Sequence, residues 1–304
     1  MEKFEVTILG CGCAKPTSRH FPSSQIVNVR DKLYLVDCGE GCQMQICRAH
    51  LSYNKINHIF ISHLHGDHCL GLVPLISTME LNDRTQPLHI YAPAMFETIF
   101  RAMTDFFCHN ISFDVIFHGI DTTQTNVIFE DRSVMVTTIP LSHRVPCCGF
   151  LFEEKPLLPH ILREMIDFYH IPFSQINNIK AGADWVTDDG EVIPHERLTI
   201  PAAPPRRYAY CSDTGYMPSL SASVAGVDLL YHEATYAEDY EASARIYAHS
   251  TARQAALVAR EAGVKRLMIG HFSARYLDES VLLQEAVGIF PDTILAKELE
   301  RIPL

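Results

Sequence analysis

His63-Leu64-His65-Gly66-Asp67-His68 brings three imidazoles and one carboxylate into six consecutive positions, directly after the apolar run Ile56-Asn57-His58-Ile59-Phe60-Ile61. His63 and His65 are two apart, so in extended backbone both rings leave the chain on the same side and can share one metal ion. Gly66 allows the chain to turn, which aims Asp67 and His68 at a neighbouring ion. Nitrogen and oxygen donors of this kind suit zinc or a similar borderline cation. A polar loop whose histidines merely cap a helix is the competing account. Clustered His and Asp at this spacing favours the metal or catalytic site.

Outward from the run, alternating apolar residues predict strands at 4–10, 25–29, 33–37 and 56–61, with helices at 42–50 and 69–79. The run therefore lies at a strand-to-helix junction, a usual site position in layered α/β proteins. A strand at 89–92 and a helix at 94–107, opened by Pro93, precede four β-rich stretches at 111–117, 126–130, 133–139 and 147–152. Residues 153–207 differ: Pro156, Pro159, Pro172, Pro194, Pro201, Pro204 and Pro205 interrupt them, and short helical pieces are expected, such as 160–168. That stretch reads as an arm inserted into a single domain covering 1–304. Strands at 208–211, 228–232 and 266–269 then alternate with helices at 219–224, 251–262 and 279–289, the rhythm of an α/β layer.

A chain of 304 residues can bury a large core, and 47% hydrophobic with 20% charged residues is ordinary for a globular protein. Ten cysteines lie mostly in apolar segments and form no C-x-x-C pair, which favours buried free thiols over disulfides or a zinc ribbon. With neither an export signal nor a membrane-length apolar run, the expected location is cytoplasmic, away from membranes. The formal net charge of −11 argues against a broadly basic nucleic-acid binder, while leaving room for a local basic track beside bound dications.

A two-metal site needs further donors at strand ends. His143 follows the apolar strand ending at Pro140, Asp213 follows Tyr208-Ala209-Tyr210-Cys211, and His271 follows Leu267-Met268-Ile269-Gly270. With these in place, Ser62-His-Leu-His-Gly-Asp-His68, Ser212-Asp-Thr214, His232-Glu-Ala-Thr235, His249-Ser-Thr251 and His271-Phe-Ser-Ala-Arg-Tyr276 resemble the metallo-β-lactamase superfamily. More narrowly, the last motifs resemble the ribonuclease Z family of tRNA 3′-processing endonucleases, and the likeness runs from Ile8 to Leu299. The resemblance implies an α/β, four-layer αββα fold with an inserted arm, a homodimer, and precursor tRNA as substrate. It also implies two Zn2+ per chain, a role Mn2+ can fill. His63, His65 and His143 would hold one ion, Asp67, His68 and His271 the other, with Asp213 bridging. Asp37, in Val36-Asp-Cys-Gly-Glu-Gly41, would fix the histidine run by hydrogen bonds rather than bind metal.

In this scheme Asp67 orients the attacking water and takes its proton, and His249, oriented by Glu233, protonates the leaving 3′-oxygen. Arg275 is the candidate phosphate clamp. Lys15 and Thr17, in the loop 13–22, are candidate contacts to the RNA backbone, with His20 and Phe21 offering rings for stacking. The arm departs from the family pattern: Phe173-Ser174 stands where a Gly-Pro pair is usual, and Lys180 is nearly alone, with Arg206 and Arg207 as candidate replacements. Two other classes share the motif. One is a small-molecule metallo-hydrolase (thioesterase, lactonase or phosphodiesterase). The other is a non-catalytic nucleic-acid binder, against which the full set of seven candidate ligands stands.

Overall fold

The computed structural model describes residues 2–109 and 111–304. Nine strands come first: β1 Phe4–Gly10, β2 Ser24–Val29, β3 Lys32–Val36, β4 Ile56–Phe60, β5 Leu88–Pro93, β6 Val115–Ile120, β7 Val127–Glu130, β8 Val134–Pro140 and β9 Cys148–Glu154. Short pairs follow, β10 His160–Ile161, β11 Trp185–Val186, β12 Val192–Ile193 and β13 Thr199–Ile200. The chain then completes its sheets with β14 Arg207–Cys211, β15 Leu229–Glu233, β16 Arg266–Gly270, β17 Thr293–Leu295 and β18 Arg301–Pro303. Two seven-stranded sheets result, in the orders β18-β1-β2-β3-β4-β5-β6 and β17-β16-β15-β14-β9-β8-β7.

Period-two alternation builds the layers. In the first sheet Val27, Val29, Tyr34, Val36 and Phe60 share a core with Val136, Phe150, Phe152, Tyr208 and Tyr210 of the second, so the sheets pack face to face. The intervening residues Ile26, Leu35, Ile59 and Ile61 point outward and bury Ile46, Leu72, Leu75, Ile76 and Phe100 from the helices Cys42–Arg48, Leu72–Glu80 and Glu97–Phe107. On the other side Ala255, Ala256, Ala259, Leu282 and Ala286 bring the helices Ala252–Ala262 and Ser280–Val287 onto the second sheet. The four-layer αββα arrangement is the fold expected. Eight of the ten cysteines are buried, and all are free thiols.

Three local expectations need correction. The strand expected at 111–117 is displaced to β6, Val115–Ile120. The helix expected at 160–168 starts only at Arg163, because His160 and Ile161 pair with Ile200 and Thr199. Gly66 is no turn-maker: it opens the one-turn helix Gly66–Cys69, and its φ is not positive. Asp67 and His68 are thus aimed by the first turn of a helix.

Residues Glu154–Pro205 form a separate compact unit, against the arm boundaries of 153–207 read from composition. Ile171, Ile179, Ile193 and Leu198 make its small core. Its helix Phe173–Lys180 is one of the short helical pieces of the arm, and Pro172 stands at its N-cap, where a missing N–H costs nothing.

At one edge of the first sheet, His58, His89 and His118 of β4, β5 and β6 stack in sequence, with ring centroids 5.0 and 5.2 Å apart. Phe129 lies 4.2 Å from the His58 ring. Burial, then the neighbouring His89, pulls the His58 imidazole down to about 4, with Asp131 opposing and His118 and Lys32 assisting. The folded state therefore excludes a proton that the unfolded chain accepts. Its contribution is full above the ordinary value of 6.5 and is lost as pH falls toward 4. Allowing for partial exposure, His58→Phe is expected to remove about 2 kcal/mol of the acid-side loss. Urea denaturation of both proteins between pH 7 and 4 measures this, and parallel curves would contradict it.

Candidate metal centre

The donors converge because their strands end together. The histidine run leaves β4, His143 follows β8, Asp213 follows β14 and His271 follows β16. Asp37, Asp213 and His271 all adopt left-handed backbone just beyond their strands, with φ of 55, 58 and 60°. For a residue with a Cβ this conformation costs of order 1–3 kcal/mol, and such strain is usually stored at functional sites.

Asp213 organises the cluster. Its Oδ2 lies 3.5 Å from His63 Nε2 and 3.6 Å from His143 Nε2. His65 Nδ1 completes that side, 3.1 Å from His63 Nε2 and 3.3 Å from His143 Nε2. Its Oδ1 faces the other way, 3.2 Å from His68 Nε2 and 3.0 Å from His271 Nε2. Asp67 Oδ2 joins that second group, 3.5 Å from His68 Nε2 and 3.9 Å from His271 Nε2. The donor atoms of His63, His65, His143 and Asp213 lie within 4.8 Å of one another, as do those of Asp67, His68 and His271.

Outer hydrogen bonds select which nitrogen each ring presents; the tautomers follow from that network. His68 Nδ1–H donates to Asp37 Oδ2 at 2.7 Å, and His143 Nδ1–H to the Ala248 carbonyl at 2.9 Å. The Ser62 hydroxyl donates to Asp37 at 2.9 Å and accepts from His63 Nδ1 at 3.0 Å. Tyr210 donates to the same carboxylate at 2.7 Å. His271 Nδ1–H donates at 2.9 Å to Thr235 Oγ1, whose own proton goes to Glu233 Oε2 at 2.6 Å. Four rings are thereby left presenting Nε2, while His65 presents Nδ1. The Nε2 atoms of His68 and His271 are fully buried without a hydrogen-bond partner. Orphaned imidazole nitrogens facing a carboxylate are what cation ligands look like in a protein without its cation, so the donor set fits two divalent ions.

Charge in the centre agrees. Burial opposes protonation of His68 and His271, yet Asp213 outweighs it and holds both well above 6.5. Burial, then the charge on His68, drives His63 the other way. For Asp67, burial acts upward, and His271 and His68 overcome it to hold the carboxyl well below the usual carboxylate range. Bound dications would displace the protons of His68 and His271, so metal affinity must fall with acidification.

His249 sits beside this cluster, its ring 5.1 Å from that of His143 and 5.3 Å from that of His271. Its Nδ1–H donates to Glu233 Oε1 at 2.8 Å. The backbone N–H of Thr214 also donates to Glu233 Oε1, at 2.8 Å, which keeps the carboxylate fixed. A capping box between Thr251 and Gln254 starts the next helix two residues on and anchors the His249 segment. His232 is buried, with its Nδ1 bonded to the Glu233 carbonyl.

The outlying candidates fare differently. Thr17 Oγ1 accepts from the backbone N–H groups of Arg19 and His20, so it ties a turn. Lys15 is exposed in the same loop. His20 is no free stacking ring: it bonds Glu279 at 3.1 Å and lies 3.6 Å from Glu298, while Arg19 bonds Glu279 at 2.8 Å. These contacts pin the loop so that the Ala14 N–H donates to Asp67 Oδ2 at 2.7 Å. Ala14 takes a positive φ of 46° to do so, a contact that residue type alone could not announce. Arg206 and Arg207 donate to backbone carbonyls of Glu2, Leu304, Ala225 and Gly226, which fixes the guanidiniums in place and leaves their charge uncompensated by these contacts.

Comparison with known proteins agrees with this geometry. Residues 4–159 match the family model described as anti-Pycsar protein Apyc1, and 197–272 match the β-lactamase superfamily domain. Among solved structures, the short form of human tRNase Z superposes with a TM-score of 0.71 at 24% identity, covering 98% of each chain. The metallo-β-lactamase fold protein YhfI from Bacillus subtilis gives 0.71 at 19% identity, with full coverage of both chains. Both show the fold. Ribonuclease Z of Bacteroides fragilis is 59% identical over 298 residues, 98% of either chain, and that of Porphyromonas gingivalis is 50% identical over the full 304. At such identity over the whole length, the chain belongs to the ribonuclease Z family.

Proposed function

We propose that the protein is a metal-dependent endoribonuclease that removes the 3′ trailer of precursor tRNA, leaving a 3′-hydroxyl on the tRNA and a 5′-phosphate on the trailer. The observation that carries this is Asp213, whose two oxygens face two separate donor groups in a member of the ribonuclease Z family. His63, His65 and His143 would hold one cation and Asp67, His68 and His271 the other, with Asp213 offering an oxygen to each side. Zinc suits these donors, and manganese can replace it. Two such ions supply charge neutralisation at the phosphodiester and lower the pKa of the attacking water.

The chain's own residues do the rest. Asp67, held by the Ala14 N–H, orients the water and accepts its proton. His249 has Nδ1 committed to Glu233, so Nε2 is the atom that donates to the leaving 3′-oxygen. Among the described residues no helix is long and apolar enough to cross a membrane. A cytoplasmic homodimer is the assembly and location that fit this role, and sedimentation of the purified protein checks the dimer.

The metal-loaded protein should cut a trailer-bearing precursor once, after the acceptor stem, and chelator should abolish the cut. An intact precursor alongside turnover of thioesters, lactones or small phosphodiesters would assign the same centre to small-molecule hydrolysis. With the arm poor in cations, few phosphates are neutralised. Log affinity for tRNA against log salt is therefore expected to fall with a slope no steeper than about −3. A slope near −6 would mean that a basic surface of another part of the chain grips the tRNA.

A further inference from the structure

We infer that two arginine–tyrosine stacks flanking His249 bind the unpaired nucleotides on either side of the scissile phosphate, one base to each stack. Arg144 follows the ligand His143, and its guanidinium lies 5.6 Å from the centre of the Tyr247 ring. Tyr247 is two residues before His249. On the other side Arg275, four residues after the ligand His271, lies 4.3 Å over Tyr240 and 4.8 Å over Tyr236. The Tyr236 ring is 6.1 Å from that of His249. The Tyr236–Arg275 stack thus meets the imidazole that faces the leaving oxygen, and the Arg144–Tyr247 stack is tied to it through the chain, one residue from the ligand His143 and two from His249.

Charge and exposure indicate the occupant. Arg19, Arg101, Arg253 and Arg266 all pair with carboxylates. Among the described residues Arg144 and Arg275 pair with none; Arg275 bonds only the Ser273 hydroxyl through Nε, at 3.2 Å. In a chain of net charge −11, two such guanidiniums beside metal ligands leave N–H edges for an anion. Tyr240 and Tyr247 remain 42% and 45% exposed, although aromatic rings this large are usually covered. A planar cation over an exposed phenol is a platform for a nucleobase, and only unstacked bases can reach it. Beside Arg144 an open groove of about 490 Å³, edged by Leu141, Ser142 and Val145, gives the strand room to leave. Stacking tolerates any base, which suits a site where the flanking sequence varies.

The inference rests on the proposed nuclease function, and the test separates the two. Precursors lacking the base just before or just after the cut are compared with the intact precursor, using wild type, Tyr240→Leu and Tyr247→Leu. Each variant should lower kcat/KM on the intact precursor about 5- to 150-fold at unchanged metal content. Each should show no further loss on one abasic precursor, a different one for the two variants. A full penalty on both abasic precursors, or none on the intact one, overturns the inference. If wild type turns over bis(p-nitrophenyl) phosphate yet cuts no precursor, the proposed function fails by itself. Anisotropy with a labelled single-stranded RNA pentamer then decides: weaker binding by the leucine variants supports the stacks, and equal binding sinks them.

Discussion

Asp213→Asn should cost the centre at least one of its two cation positions and lower precursor cleavage by about four orders of magnitude or more. The prediction follows from the two faces of one carboxylate. Oδ1 lies 3.0 Å from His271 Nε2, and Oδ2 lies 3.5 Å from His63 Nε2. An amide offers one oxygen and replaces the other with an N–H donor, so one metal group loses its anion and gains a repulsive hydrogen. Asparagine is also the fairest substitute, because it shares with aspartate a tolerance for the left-handed φ of 58° found here. Misfolding is therefore a poor explanation for the loss. Metal analysis after desalting, beside circular dichroism, reads the result. Two tightly held ions per chain in the variant would contradict the bridging role.

Much of this centre was legible because it obeys strand geometry. Polar residues just past apolar strands stand out by type, and His143, Asp213 and His271 are all of that kind. The face-to-face sheets came only with the family resemblance: alternation marks strands, but which face of Ile26, Leu35 and Ile59 or of Val27, Tyr34 and Phe60 meets the second sheet depends on distant partners. What stayed hidden depends on partners far away in the chain. Arg19 and His20 look like solvated loop residues until Glu279, some 260 residues on, arrives beside them. Arg206 and Arg207 look like loose surface side chains until the backbone carbonyls that hold them are in place. Thr235 was visible inside His232-Glu-Ala-Thr235, but its relay from His271 to Glu233 needed a hydroxyl's position, not its presence. The arm was least legible of all: its prolines break the pattern, and its helix Phe173–Lys180 depends on a small local core.

His249→Ala should slow cleavage about 10²- to 10⁴-fold while both ions stay bound. The ring lies 5.1 Å from His143, and the neighbouring Ala248 carbonyl accepts the His143 Nδ1 proton at 2.9 Å, so metal content has to be measured alongside the rate. Retained metal with a slow rate locates the loss in proton transfer rather than in the centre's assembly. Glu233→Gln should follow with a smaller loss, about 10- to 100-fold, because the ring keeps its place but loses the anion that orients it. The decisive substrate carries sulfur in place of the bridging 3′-oxygen. A thiolate leaves without a proton, whereas an alkoxide needs one, so the His249→Ala defect should nearly vanish on that substrate. An undiminished defect there would mean that His249 positions the phosphate or the RNA strand, and the proton for the 3′-oxygen would then have to come from water.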